Sequence, residues 1–148
     1  MNICFIFETL KSQGLIIAKT MISKISEGVT ISVETFYQPD YSDPEASDYM
    51  FSYRITLENN NTFAVQLLRR HWYIFDSIYH TYEVEGEGVI GVQPIIPSGD
   101  KYQYISGCNL KSDMGKMHGK YFMENCSNKK TFLINIPLFE MIAPYKLN

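Results

Sequence analysis

The chain has little of what most catalytic and metal chemistry is built from. Its three cysteines, Cys4, Cys108 and Cys126, show no Cys-x-x-Cys spacing. Neither a disulfide framework nor a zinc knuckle is indicated, and a reducing cytoplasmic setting fits best. The three histidines, His71, His80 and His118, form no His-x-His or His-x-x-x-His pair, so a transition-metal centre lacks its convergent ligands, and neither a metal site nor a resident cofactor is expected. A Gly-x-Ser-x-Gly elbow is missing around Ser106-Gly107-Cys108, and the run Gly115 to Tyr121 lacks the Gly-Lys-Ser/Thr ending of a P-loop. No catalytic residues are expected.

An excess of positive charge is lacking as well. Thirteen basic side chains stand against 16 acidic ones, a net charge of −3, and no sequence-wide field would gather phosphate backbones, so nucleic acid is excluded as the expected partner. No apolar run reaches the roughly 20 residues of a membrane-spanning helix, which excludes membrane insertion by that route. The apolar clusters Ile3 to Phe7 and Leu15 to Ala18 are divided by Glu8 and Lys11 and follow no cationic segment, unlike a secretory signal. Residues 1–28 are therefore expected to be an appendage, with a short amphipathic helix on Phe7, Leu10, Gly14 and Ile17 and with Met21 as an alternative start. Residues 29–148 are expected to form one domain, since single cores span roughly 100 to 200 residues.

What is present is the material of strands. Aromatics make up 14% of the chain, with eleven tyrosines and nine phenylalanines, and period-two alternation recurs. Val29, Ile31 and Val33 alternate with Thr30, Ser32 and Glu34; Phe51, Tyr53, Ile55 and Leu57 alternate with Ser52, Arg54, Thr56 and Glu58. Asn59-Asn60-Asn61 then supplies a turn, and a return strand runs from Phe63 through Asp76 with aromatics on both faces, as if covered on both sides. Further strands are expected at Tyr79 to Val84, Tyr102 to Ser106, Gly119 to Glu124 and Thr131 to Ile136. Ile136-Pro137-Leu138-Phe139 reads as an edge, because proline cannot donate to a ladder. About seven to eight short strands at this spacing predict an all-β fold, an antiparallel β-sandwich.

Two strings carry candidate chemistry. Gly86-Glu87-Gly88-Val89-Ile90-Gly91 spells the GxGxxG signature of dinucleotide sites, but Val92-Gln93-Pro94-Ile95-Ile96-Pro97 opposes the helix that such a site needs. The string is expected to be a turn first, with Gly86 and Gly88 supplying positive φ or a bulge and Gly91 allowing close sheet packing. As a phosphate site it would use outward N–H groups and a nearby cation. Arg69-Arg70-His71-Trp72 supplies that cation, and alternation places Arg70 with Trp72 on one face and Arg69 with His71 on the other. Gly86, Glu87, Gly88, Gly91 and Arg70 are thus the candidate ligand residues. The acidic connection Gln38 to Asp48 offers Asp40, Asp43 and Asp48 for a weak Mg²⁺ or Co²⁺ contact.

Five stretches taken in order resemble the ApaG family, a group of small proteins with a fibronectin type III-like fold. They are Phe51 to Thr56 with Asn59; Val65 to Trp72; Val84 to Gly91 with Gln93-Pro94; Gly115 to Tyr121; and Ile136 to Phe139. Two loops depart from the pattern: Pro97-Ser98-Gly99-Asp100 sets its proline one place early, and Ser77 to Glu83 replaces a shorter turn. The resemblance implies a fibronectin type III/immunoglobulin-like sandwich and a bacterial protein tied to cobalt and magnesium tolerance or efflux. It also implies a pyrophosphate or nucleotide site at the glycine string and no catalytic residues. Similar domains attached to an F-box protein and to a DNA polymerase-interacting protein look like protein-binding modules. The expected function is a non-enzymatic binding module with a phosphate-containing small molecule, a protein partner or a second copy as ligand. The alternatives are a hydrolase of nucleotide phosphates, with Mg²⁺ held by Glu85, Glu87 or Asp76, and a protein-interaction domain around Trp72 and Tyr73.

Overall fold

Nine strands form two antiparallel sheets in a computed structural model that describes residues 19–78 and 80–147. The strands are β1 (Lys19–Ser26), β2 (Val29–Tyr37), β3 (Tyr49–Asn59), β4 (Val65–Asp76), β5 (Thr81–Glu87), β6 (Ile95–Ile96), β7 (Lys101–Leu110), β8 (Met114–Asn125) and β9 (Thr131–Ile142). One sheet has the order β1-β2-β3-β7, the other β5-β4-β8-β9 with β6 paired to β4. The architecture is the predicted β-sandwich, with strands longer than the sequence pattern alone delimits.

The expected boundary of the appendage moves. Lys19 to Ser26, assigned to residues 1–28, pairs with β2 and makes the outer strand of the first sheet. Alternation is poor there because β1 is half-covered: Met21 and Ile25 are exposed while Ile22 packs on the core. The helix expected on Phe7, Leu10, Gly14 and Ile17 lies outside the described residues.

The inward faces follow the predicted alternation. Val29, Ile31 and Val33 of β2 and Phe51, Tyr53, Ile55 and Leu57 of β3 are buried against Met117, Tyr121, Ile134, Ile136 and Phe139 of the second sheet. Trp72 sits at the centre, edge-on to Tyr53 (5.5 Å), Phe139 (5.9 Å) and Tyr121 (6.2 Å). Tilted and edge-to-face packing of this kind adds to the area term, at about 0.5 to 1.5 kcal/mol per pair. Tyr104 of β7 and Tyr121 of β8 join hydroxyl to hydroxyl and so bridge the sheets; burial holds the Tyr121 phenol protonated well above its ordinary range.

One irregularity decides the rest. The pairing of β4 with β8 shifts between Leu67 and Arg69, so Leu68 is an inserted residue. Ahead of it the odd residues Val65 and Leu67 face inward; beyond it the even residues Trp72, Ile74 and Asp76 do. A bulge swaps faces in this way because side chains alternate strictly on either side of it. The expectation that β4 is covered on both sides is corrected accordingly. His71, Tyr73 and Phe75 lie on the outer face, where no third layer of the described residues covers them, and His71 and His118 stack on either side of Tyr73 at 4.4 and 5.0 Å.

The sandwich is closed along one side and open along the other. On the closed side β9 lies against β1 and β2: Asn135 N–H donates to the Ser26 hydroxyl (3.1 Å) and the Thr35 hydroxyl donates to the Glu140 carbonyl (3.3 Å). β9 is an edge strand, as Pro137 predicts, and its register against β8 shifts between Met117 and Gly119. At the bottom of β4, the buried Asp76 carboxylate accepts from Lys111 N–H (2.6 Å) and from the Ser112 hydroxyl, pinning the turn between β7 and β8. Asp76→Ala leaves the Lys111 N–H without its acceptor and the Ser112 hydroxyl with only the Met114 carbonyl at 3.1 Å. Urea titration should show a loss of about 2 to 4 kcal/mol, with Asp76→Asn intermediate.

Candidate functional site

The open side lies between β7 of one sheet and β5 of the other, and a cavity of about 350 Å³ enters there. Its walls are Tyr104 and Ser106 from β7, Tyr53 from β3, Arg70 and Trp72 from β4, and the glycine string. Of the candidate residues, the structure brings together Arg70, Gly86, Glu87 and Gly91 at this mouth. Gly88 joins them through its carbonyl, which accepts from Arg70 Nη1 at 2.8 Å; the Glu87 carbonyl accepts from the same nitrogen at 3.0 Å.

Gly86 and Gly91 do different work from that expected, and Gly88 the work expected. Gly86 has no positive φ and is an ordinary residue of β5 opposite Arg70. A Cβ placed there would stand 2.8 Å from Arg70 Nη1, so the missing side chain makes room for the guanidinium. Gly88 does need its left-handed backbone, with φ 55°, and a Cβ on it would run into the Val92 carbonyl. Gly91, expected to allow sheet packing, has open space around it; it serves the turn through φ 73°. Val89 and Val92 exchange backbone hydrogen bonds of 2.8 and 3.1 Å around Ile90 and Gly91, both at positive φ, which is the pattern of a type I′ turn. A β-branched residue rarely adopts that conformation, and Ile90, with φ 50°, lines the cavity while doing so.

This geometry excludes one reading of the string and narrows another. After Gly91 the chain continues through an extended stretch into β6, with no helix over Val92 to Ser98, so the Rossmann arrangement is excluded. The amides expected to make an anion nest are in use at two positions, since Gly88 N–H donates to the Leu68 carbonyl (2.8 Å) and Val89 N–H to the Val92 carbonyl. The turn therefore offers two carbonyls to Arg70, which hold the guanidinium by one nitrogen at the cavity wall. Among the described residues no carboxylate lies within ion-pairing distance of it. A half-buried guanidinium with donors to spare suits an oxyanion.

The carboxylates that phosphate hydrolysis would require are not gathered here. Asp76 is at the far end of β4, about 20 Å from Arg70 at the usual rise per residue, and it is engaged by Lys111 and Ser112. Glu85 is on the outer face, 2.7 Å from His71 Nδ1, and Glu83 is 2.8 Å from His71 Nε2. Arg69 pairs in register with Glu87 on that same outer face. The acidic connection is folded into two short 3₁₀ turns, Pro39–Tyr41 and Pro44–Ala46, and Asp43 caps the second by accepting from Ala46 N–H. Among the described residues no group of three or more His, Cys, Asp or Glu side chains is placed to hold a metal ion. Sequence reasoning missed Tyr104 and Ser106, whose contribution depends on β7 facing β4 across the sandwich and has no local signature.

Two glycine substitutions separate the roles described above. Gly86→Ala meets only the flexible end of Arg70 and should cost under about 1 kcal/mol in thermal or urea unfolding while displacing the guanidinium. Gly88→Ala meets backbone at a left-handed position and should cost about 2 kcal/mol or more.

Comparison with known proteins agrees with the fold and with the family resemblance. The family model described as the ApaG domain matches residues 39–125. Protein ApaG of Brucella canis is 42% identical over 124 residues, covering 84% of this chain and 95% of the relative. Protein ApaG of Brucella anthropi matches to the same extent, again at 42% identity over 124 residues. Among solved structures, the putative ApaA protein from Bordetella pertussis superposes with a TM-score of 0.75 at 35% identity, covering 78% of this chain and 94% of that one. The structural genomics target SoR45 does so with a TM-score of 0.75 at 39% identity, covering 80% and 89%. The chain belongs to the ApaG domain family.

Proposed function

We propose that this ApaG-family chain is a non-enzymatic binding module of the cytoplasm that takes pyrophosphate or the phosphates of a nucleotide in the cleft beside the glycine turn. The observation that carries the proposal is the Arg70 guanidinium, held over Gly86 by the Glu87 and Gly88 carbonyls and facing a cavity of about 350 Å³. An arginine fork matches a phosphate oxygen pair, and partial burial strengthens the attraction relative to water. Ser106 and the aromatic wall of Tyr53 and Trp72 stand where the rest of a nucleotide would lie.

A role in cobalt or magnesium homeostasis follows from the same chemistry. Pyrophosphate and nucleoside triphosphates carry divalent cations as counter-ions, and a cation bound in that way takes its ligands from phosphate oxygens and water. Mg²⁺ or Co²⁺ would then enter with the anion, with no cage of protein side chains.

Isothermal titration with pyrophosphate, with ATP and with sodium sulfate as control tests the reading. Heat is expected with pyrophosphate or ATP, and Arg70→Gln should weaken that binding about tenfold or more. Gly86→Ala should do likewise without unfolding the protein. Absence of heat with both phosphates, in the presence and absence of Mg²⁺, would overturn the proposal, and phosphate release that depends on Mg²⁺ would replace it with an enzymatic one.

A further inference from the structure

Four strands form the sheet edges, and three of them are closed to further pairing. β9 carries Pro137 and a register shift, and its Asn135 amide is taken by Ser26 of β1. β1 carries its own register shift and lies along that seam. β5 presents Glu83, Glu85 and Glu87. The bond from Gly88 N–H to Leu68 sets the phase of its ladder, and these three glutamates are the residues whose backbone groups point away from β4. Proline, bulges, charge and coverage are the usual ways in which an edge is kept from recruiting another strand.

Among the described residues, β7 has none of them. Over Lys101–Leu110 it has no proline, no register shift against β3, and a single charged residue, Lys101. The bonds from Asn59 N–H to Asp100 (3.0 Å) and from Gly99 N–H to Asn59 (2.8 Å) set its phase. With Leu57 opposite Tyr102 and Ile55 opposite Tyr104, the even residues bond to β3, and Gln103 and Ile105 turn their N–H and C=O groups outward. A strand added there would lay its inward side chains over Tyr104 and Ser106, which form the lip of the Arg70 cleft.

We propose that β7 is a strand-addition site for an extended peptide segment bearing an acidic side chain, which enters the cleft and pairs with Arg70. Main-chain bonds to Gln103 and Ile105 supply the docking, and the guanidinium supplies the selection. Charge favours this occupant over a second copy, since β7 of another protomer would bring Tyr104 and Ser106 to the cleft and no carboxylate. The inference rests on the reading of Arg70 as an anion receptor and adds the β7 edge and a partner to it.

The test uses the full chain and a short fluorescein-labelled peptide of alternating threonine and valine with one central aspartate, followed by anisotropy, beside a pyrophosphate titration. Ile105→Pro removes an N–H that β3 does not use, so the fold should persist while peptide affinity falls about tenfold or more and pyrophosphate binding is unchanged. Arg70→Gln should weaken both ligands, and a central asparagine in the peptide should bind less tightly than the aspartate. Peptide binding unaltered by Ile105→Pro, or preserved in full with asparagine, would overturn the proposal. So would an absence of peptide binding to the native chain, whether or not pyrophosphate binds. Self-association that Ile105→Pro abolishes, without peptide binding, would give the edge to a second copy instead. Peptide binding sensitive to Ile105→Pro and Arg70→Gln in a chain that ignores pyrophosphate would uphold the edge and reject the small-molecule reading.

Discussion

Side chains in a strand alternate, so a single inserted residue decides which half of the Arg-Arg-His-Trp run enters the sandwich. Leu68 is that residue. Without it, the phase set by Val65 and Leu67 would carry Arg69 and His71 inward and turn Trp72 to solvent. The result would be a core without its central ring and two polar groups buried in its place. With it, Trp72 meets Tyr53, Tyr121 and Phe139, and Arg70, two residues earlier on the same face, lands at the open side. Core and cleft thus share one cause.

The cleft is a product of accommodation between two strands. Arg70 needs space, and β5 provides it by having no side chain at position 86. The guanidinium then needs acceptors, and the chain reversal at Gly88 turns two carbonyls toward it. Glycine here buys room and carbonyl orientation, in contrast to dinucleotide folds, where the same letters lead into a helix whose amides receive phosphate. In the binding function proposed above, the positively charged side chain takes over the task that a helix terminus performs elsewhere.

Much of this was legible in the sequence, and the illegible part has a physical description. Alternation in β2 and β3 identified the inward faces because both strands lie between neighbours on the same sheet, with one face on the core. The pairing of Arg70 with Trp72 was legible for the same reason. β1 escaped because a half-covered edge strand has no clean period, with Ile25 exposed and Ile22 packed. The site escaped in part because Tyr104 and Ser106 are separated from Arg70 along the chain and meet it only through the stacking of two sheets. The identity of the turn residues was visible, but which atoms of the turn face the cation depends on backbone directions that no residue name encodes.

The seam on the closed side joins Ser26 to Asn135 and Thr35 to Glu140, pairs separated by 109 and 105 positions. On a ribosome it waits for nearly the whole chain to emerge, whereas every wall of the cleft lies between Tyr53 and Ser106. During synthesis the molecule must therefore pass through a stage in which the strands that line its pocket are available but its first strands have no partner across the gap. In that interval the hairpin of β1 and β2 holds inward apolar residues, Ile31 and Val33 among them, without the β9 surface that later packs beside them.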